Sequence, residues 1–165
     1  MGTRNLTIVK SKGKTKIAQY GQWDGYPTGQ GDTIAVFLRT ADLKAFQEKV
    51  DKLGEWTPEA MEKLYTDAGH YGSEWVSGEI SNKVHAIAPE LNRDQGAGIL
   101  DMVMKGTSKV RLAEEFKNDK LFCEYCYEID LDKHTVTMND KEYSFELWTM
   151  VDFMKKLEEQ ENEEA

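Results

Sequence analysis

A glycine-rich, aromatic segment at residues 20–31 has the composition of a ligand-binding loop. It reads Tyr-Gly-Gln-Trp-Asp-Gly-Tyr-Pro-Thr-Gly-Gln-Gly. Its glycines permit positive φ angles and close backbone approach, and a helix predicted after it would offer N–H groups that attract anions. Its aromatic side chains could stack on a ring. The segment therefore predicts a cradle for a small anionic or nucleotide-like ligand, with the binding residues Arg4, Tyr20, Trp23, Asp24, Gly25, Tyr26, Gly29 and Gly31.

Two other uses of these aromatic residues remain open. Trp23 and Tyr26 could fill the core beneath a sheet, because buried aromatic rings supply much of the core of a small domain. They could instead form an interface between copies of the chain, so a homo-oligomer is a further alternative. The segment also has neither the Gly-Lys-Ser/Thr of a P-loop nor the G-x-G-x-x-G of a dinucleotide-binding loop.

Arg93 is a second signal for a ligand. It lies in the first turn of a helix predicted from Asn92, where the helix dipole disfavours a positive charge. A partner acid or a ligand could hold its guanidinium, and simple exposure to solvent explains its position equally well.

Cys123 and Cys126 have the C-x-x-C spacing of redox and zinc sites. The spacing falls within a strand predicted from Leu121 to Leu131, in which residues three apart point to opposite faces. Zinc would need further ligands, and the histidines are scattered at positions 70, 85 and 134. We therefore predict two ordinary thiols, with no metal site and no cofactor. The acids at positions 130 and 132 are predicted to be turn residues, because a hard cation usually takes six or more oxygen ligands.

Catalytic signatures such as H-E-x-x-H and G-x-S-x-G are absent from the sequence. An N-terminal nucleophile would attack with the side chain of the residue after Met1 and use its own amine as the base. That residue is Gly2, which has no nucleophile, and attack by Thr3 would require further processing. We expect a non-catalytic protein, and an N-terminal-nucleophile-like hydrolase is the less favoured alternative.

Hydrophobic periodicity predicts an α+β fold. The first twenty residues alternate as a β-hairpin that turns at Gly13, helices are predicted after Thr40 and Thr57, and the segment from Leu121 to Phe145 resembles an antiparallel meander. A last helix is predicted from Leu147 to Leu157. We expect residues 1–157 to form a single domain, with one antiparallel sheet built from the N-terminal hairpin and the C-terminal meander and with the middle helices packed on it.

The composition limits the class of protein and its partners. The 165 residues carry a formal net charge of -9, and 39% of them are hydrophobic. Such a chain can bury a core, has no apolar run long enough to span a membrane, and is unsuited to general nucleic-acid binding. We expect a cytoplasmic protein that binds neither nucleic acid nor membrane directly.

The charge is unevenly distributed along the chain. Residues 124–164 hold thirteen acidic and four basic residues, and the acidic segment 158–165 is predicted to be a disordered tail. An alternative function follows from this asymmetry: an acidic protein-blocking module that inhibits a host enzyme by docking on its basic surface.

The opening of the chain resembles a family of bacterial and phage proteins. The resemblance rests on Met-Gly-Thr-Arg at the start and on Gln-Trp-Asp-Gly-Tyr-Pro-Thr-Gly-Gln-Gly at residues 22–31, and it extends more weakly to residues 94–100 and 125–132. It implies a phage or prophage origin and brings no activity with it. Small acidic phage proteins often bind a host factor or sequester a signalling molecule, so the resemblance implies a role in host counter-defence.

Overall fold

A computed structural model describes residues 2–71, 75–119 and 121–164. Its strands are β1 (Asn5–Ser11), β2 (Lys14–Gly21), β3 (Gly54–Glu55), β4 (Lys109–Val110), β5 (Tyr125–Asp130), β6 (Thr135–Met138) and β7 (Lys141–Ser144). Its α-helices are α1 (Asp32–Thr40), α2 (Leu43–Asp51), α3 (Pro58–Asp67), α4 (Gly78–Ile87), α5 (Ile99–Met104), α6 (Phe145–Trp148) and α7 (Phe153–Glu164). Short helical turns occur at Pro27–Gly31, Pro89–Leu91, Gly96–Gly98 and Glu114–Asn118. The predicted α+β class is confirmed.

The main sheet joins the two ends of the chain, and it is mixed. Its strand order is β2-β1-β5-β6-β7. The hairpin β1–β2 and the meander β5–β6–β7 are antiparallel, but β1 and β5 run parallel, with Thr7 opposite Tyr127. The prediction of an antiparallel sheet is therefore wrong. The alternation of apolar and polar residues identifies a strand but does not show in which direction it pairs. Because more than 100 residues connect β1 to β5, their relative direction depends on the path of the helices between them.

A second sheet pairs β3 with β4 in parallel, so the prediction of a single sheet is also wrong. Each of these strands has only two residues. A segment of that length is too short to show the alternation by which a strand is predicted from sequence.

Side-chain caps begin the helices α2 and α3. Asp42 accepts a hydrogen bond from the Ala45 N–H at 3.1 Å, and Thr57 accepts one from the Ala60 N–H at 3.1 Å. Both are the N-cap contacts expected of short polar residues before a helix. These caps confirm the helices predicted after Thr40 and Thr57.

Three predicted boundaries are wrong. The last helix is divided into α6 and α7, with Asp152 at φ 70° between them. The helix predicted from Asn92 is replaced by an Asx turn, in which Asn92 accepts from the Asp94 N–H at 2.9 Å, followed by the short α5. Strand β5 begins at Tyr125 rather than at Leu121.

The two faces of the main sheet bury different clusters. Val9, Ile17 and Ile129 pack against α1, α2 and α5 in the larger core. On the opposite face, Leu6, Ile8 and Ala18 form a smaller cluster, which is covered by Phe116 and its neighbours. The helices of the middle of the chain therefore pack on the sheet as expected, while a short helical turn covers the smaller cluster.

Helix α7 contains most of the segment 158–165, for which the composition predicts a disordered tail. Its first turns bury Met154 and Leu157 in the larger core. Thr28 donates a hydrogen bond to the Glu158 carboxylate at 2.8 Å. The acidic residues of this segment therefore continue a helix whose beginning is anchored on the core.

Candidate functional site

The predicted ligand loop packs tightly against the chain's own backbone. The Gly25 N–H donates to the Thr3 carbonyl at 3.0 Å, and a Cβ atom on Gly25 would lie only 2.7 Å from that oxygen. A Cβ on Gly29 would collide with the carbonyl oxygen of Asp24, which is itself at φ 56°. At these two positions, glycine allows close approach within the loop itself.

The aromatic side chains of the loop are not part of the core. Trp23 is 45% exposed and Tyr26 is 37% exposed, so the interpretation in which they fill the space beneath the sheet is wrong. Tyr26 donates from its hydroxyl to the Asp24 carboxylate at 2.9 Å, and this hydrogen bond raises the pKa of Tyr26. The residues that anchor the loop come from elsewhere, because Tyr127 donates to the Gly25 carbonyl at 2.6 Å and Trp148 to the Gly31 carbonyl at 3.3 Å.

Arg4 makes its contacts with the segment before β5. Its carbonyl accepts from the Glu124 N–H at 3.1 Å, and its guanidinium lies 5.2 Å from the centre of the Phe122 ring. The guanidinium therefore makes a cation–π contact.

Tyr20 lies at a cavity of about 350 Å³ beside the edge strand β2. Its ring meets that of Phe116 edge to face, with centroids 5.0 Å apart, and its hydroxyl donates to the Gln22 side chain at 2.6 Å. The cavity is built by three segments of the chain and is lined by Gln19, Tyr20, Glu90, Leu91, Asn92, Arg93, Arg111, Ala113, Glu115, Phe116 and Asp119. Cavities of a few hundred cubic ångströms hold small organic ligands.

Arg93 and Arg111 place two positive charges at this cavity. Both are exposed, and neither lies within ion-pair distance of a carboxylate in the part of the chain that the structure describes. A guanidinium is always charged and matches carboxylate and phosphate groups with paired donors. The two arginines can therefore bind an anionic group.

Two of the three carboxylates at the cavity are already occupied. Glu90, which is only 8% exposed, accepts from the Trp56 indole N–H at 2.9 Å. Asp119 accepts from the Phe122 N–H at 3.0 Å. Both carboxylates therefore help to hold the cavity walls in position. The third, Glu115, accepts no hydrogen bond from another residue in the ranges 2–71, 75–119 and 121–164.

Gln19 supplies a buried amide to the same cavity. Its side-chain N–H donates to the Glu90 carbonyl at 3.0 Å, and this contact fixes which end of the amide is the oxygen. Gln19 is 5% exposed, and its oxygen has no hydrogen-bond partner among the described residues. A residue of the cavity lining thus holds a buried acceptor without a partner, which is costly for the fold.

The predicted site residues lie in three places, because Arg4 contacts the segment before β5. Tyr20 lies at the cavity. The segment from Trp23 to Gly31 lies next to it and is joined to one cavity wall through Asp94. Arg93, which the sequence analysis singled out separately, joins Tyr20 at the cavity. Arg111 and Gln19 gave no signal in the sequence, because an isolated arginine and a glutamine in an alternating strand are common on any surface.

The two cysteines line one small cavity of about 180 Å³. The expectation that they face opposite sides is wrong, because Cys123 precedes the first residue of β5 and so does not follow the alternation of the strand. Burial raises the pKa of the Cys126 thiol to about 12. Cys126 is therefore a neutral thiol near pH 7. Within the described ranges, no group of three His, Cys, Asp or Glu side chains is placed to hold a metal ion.

The acids of the β5–β6 turn have the structural role predicted for them. Asp130 accepts from the N–H groups of Asp132 and Lys133 at 2.9 and 3.0 Å. Asp132 accepts from the Lys12 N–H at 2.6 Å and from the Gln47 side chain at 3.1 Å. These contacts close two neighbouring turns.

No protein-family model matches this sequence, and comparisons with curated proteins and with solved structures give no match either. The resemblance to bacterial and phage proteins therefore stays a prediction. Among the helices described, none combines the length and the apolar character needed to cross a membrane.

Proposed function

We propose that this protein binds a small anionic, nucleotide-like ligand in the cavity beside Tyr20 and does not convert it chemically. The single observation that carries the proposal is the pair of guanidinium groups, Arg93 and Arg111, at one cavity. Neither forms an ion pair with a carboxylate among the described residues. A phosphate group placed between them would gain charge-assisted hydrogen bonds.

The remaining walls suit a planar ring. Tyr20 and Phe116 present aromatic surface, and Leu91 and Ala113 add apolar surface. Ligand sites commonly combine such apolar walls with a few polar groups that fix orientation. A ring held against these walls, with its phosphate on the arginines, uses both kinds of surface.

The cavity lining supports binding rather than catalysis. It includes no Ser, Thr, Cys, His or Lys side chain among the residues described. These side chains often act as nucleophiles or as bases near neutral pH, as do Asp and Glu, and Glu115 is the carboxylate of the lining that accepts no hydrogen bond from the described residues. The Glu90 and Asp119 carboxylates accept hydrogen bonds from the protein itself.

Titration calorimetry with the four ribonucleoside 5′-monophosphates tests the proposal. We expect binding of at least one of them, and a loss of about tenfold or more in affinity for Arg111→Ala and for Arg93→Ala, because each removes a charge-assisted hydrogen bond. Lys133→Ala is the matched control: it removes one positive charge from an exposed turn at the other end of β1, and should bind normally.

The variant Tyr26→Ala distinguishes a ligand site in the glycine-rich loop from a site in the cavity. It alters the exposed loop and leaves the cavity lining unchanged. Normal binding by Tyr26→Ala together with weak binding by Arg111→Ala supports the cavity. Weak binding by Tyr26→Ala together with normal binding by Arg111→Ala would show that the ligand binds to the loop. Absence of binding for all four nucleotides would contradict the proposal.

A further inference from the structure

Among the described residues, the backbone of the edge strand β2 has unpaired groups at Tyr20, between two positions that bond to other segments. In an antiparallel pair, the N–H and C=O groups of every second residue point away from the partner strand. In β2 these residues include Ala18, whose carbonyl accepts from the Ala113 N–H at 2.9 Å. Just past the end of β2, the Gln22 N–H donates to the Arg93 carbonyl at 3.0 Å. Tyr20 lies midway between them, so its N–H and C=O point to the same edge.

Neither main-chain group of Tyr20 is bonded to another segment. Within residues 2–71, 75–119 and 121–164, the edge of β2 is closed at Ala18 and at Gln22, and no described residue bonds to the Tyr20 N–H or C=O. The closing residues Ala113 and Arg93 both line the cavity, as does Tyr20 itself. The cavity therefore lies over the open stretch of the sheet edge.

The length of the opening decides what could pair with it. Four residues of extended strand separate Ala18 from Gln22, which is about 13 Å at the usual rise of about 3.3 Å per residue. Because the Ala113 N–H and the Arg93 carbonyl already bond to the two ends of this stretch, only a short segment of another chain could pair with Tyr20 here. A flat ring that carries a donor and an acceptor side by side makes the same two hydrogen bonds without needing a longer edge.

We infer that the Tyr20 main chain reads the hydrogen-bonding edge of a nucleobase. In this arrangement, the Tyr20 N–H donates to an acceptor on the ring and the Tyr20 C=O accepts from the neighbouring N–H. Every common nucleobase presents such a neighbouring pair on its base-pairing edge. The inference rests on the proposed function, because it assigns the base to the open edge and leaves the phosphate to Arg93 and Arg111.

Gln19 adds an independent reason to expect a donor on the ligand. Gln19 belongs to the same cavity lining, and its buried side-chain oxygen has no partner among the described residues. If a ligand reaches this oxygen, the edge of Tyr20 and the amide of Gln19 together offer two acceptors and one donor. An amino-bearing or N–H-bearing base satisfies more of these groups than an organic phosphate without a base.

The test compares a purine nucleotide and a pyrimidine nucleotide with analogues whose base edge lacks the donor. Adenosine 5′-monophosphate is compared with purine riboside 5′-monophosphate, which lacks the amino group, and uridine 5′-monophosphate is compared with its 3-methyl derivative. For any parent nucleotide that binds, we expect the analogue to bind about tenfold more weakly or worse, because a site built to pair a donor rejects a ligand without it.

A second readout locates the effect at Tyr20. The parent nucleotide should slow hydrogen exchange of the Tyr20 amide, and the analogue should slow it less. Equal affinity of parent and analogue, with both weakened by Arg111→Ala, would overturn the inference and leave the proposed function standing. Absence of binding for every nucleotide would overturn both.

Discussion

The indole N–H of Trp23 donates to the carboxylate of Asp94 across 2.8 Å, and it joins two segments that are 71 residues apart in sequence. One position before Asp94, the Arg93 carbonyl accepts from the Gln22 N–H at 3.0 Å. These two contacts tie the glycine-rich loop to the cavity wall that carries Arg93. The loop therefore acts on the site by positioning one of its charged walls.

Replacing Trp23 by Phe should weaken nucleotide binding without unfolding the protein. The change removes the N–H that holds Asp94 and keeps an aromatic ring at an exposed position, so we expect a loss of affinity of a few-fold, corresponding to about 1 kcal/mol for one hydrogen bond. Calorimetry of Trp23→Phe, Asp94→Ala and the double variant measures the coupling. Additive losses would show that the two side chains do not act through their contact.

Tyr127→Phe should destabilise the fold. Its hydroxyl donates to the Gly25 carbonyl at 2.6 Å in a buried position, and removal leaves that carbonyl without its donor. We expect the free energy of unfolding in urea to fall by about 1–3 kcal/mol. Tyr125→Phe removes the same atom from the neighbouring ring and is the control. An equal effect of the two changes would argue against the loop anchor.

Asp51 should make stability depend on pH in the acid range. The Ser11 hydroxyl, which donates to it at 2.6 Å, and then Lys12 lower the pKa of Asp51 below its usual value of 3.8. A carboxyl group with a lower pKa in the folded state contributes stability above its unfolded pKa, and this contribution is lost as the pH falls through the folded value.

Urea unfolding of the wild type and of Asp51→Asn checks this expectation. The variant should be less stable near pH 7, and the difference should shrink as the pH falls below about 4. Glu48→Gln, which changes an exposed acid on the same helix, is the control. A difference between wild type and Asp51→Asn that stays constant across the acid range would contradict the assigned role of Asp51.

Cys126 should react slowly with alkylating reagents in the native protein. Burial raises the pKa of its thiol to about 12, and the thiolate is the reactive form. Near pH 8 we expect alkylation by iodoacetamide to be at least about tenfold slower than in the urea-unfolded chain. Peptide mapping by mass spectrometry follows Cys126 separately from Cys123. Equal native and unfolded rates for Cys126 would contradict the burial of the thiol.

Local features of the fold could be predicted from sequence, because they depend on neighbouring residues. Thr57 and Asp42 start helices through contacts three residues away, and Gly13 permits the hairpin turn at φ 74°. The parallel pairing of β1 with β5 could not be predicted, since it depends on contacts between distant segments.

The candidate site likewise depends on contacts between distant segments, which the sequence does not show. Composition singles out Tyr20, whereas the helix from Asn92 that pointed to Arg93 does not form, and nothing local indicates that the two residues meet. Their cavity also needs Arg111, which β4 and the following turn bring to the edge of β2. Close approach at the loop glycines is confirmed, although the group that approaches Gly25 is the Thr3 carbonyl of the chain itself. The loop glycines Gly25, Gly29 and Gly31 do not adopt positive φ angles.

An NMR titration of the isotopically labelled protein with the four ribonucleoside 5′-monophosphates tests the central claim most directly. It follows the backbone amides together with the side-chain N–H signals of the arginines. We predict that a nucleotide shifts the Tyr20 amide and the side-chain signals of Arg93 and Arg111, and leaves the Lys133 amide unchanged. Shifts confined to Trp23 and Tyr26, or no shifts with any of the four nucleotides, would contradict a nucleotide-binding cavity at the open edge of β2.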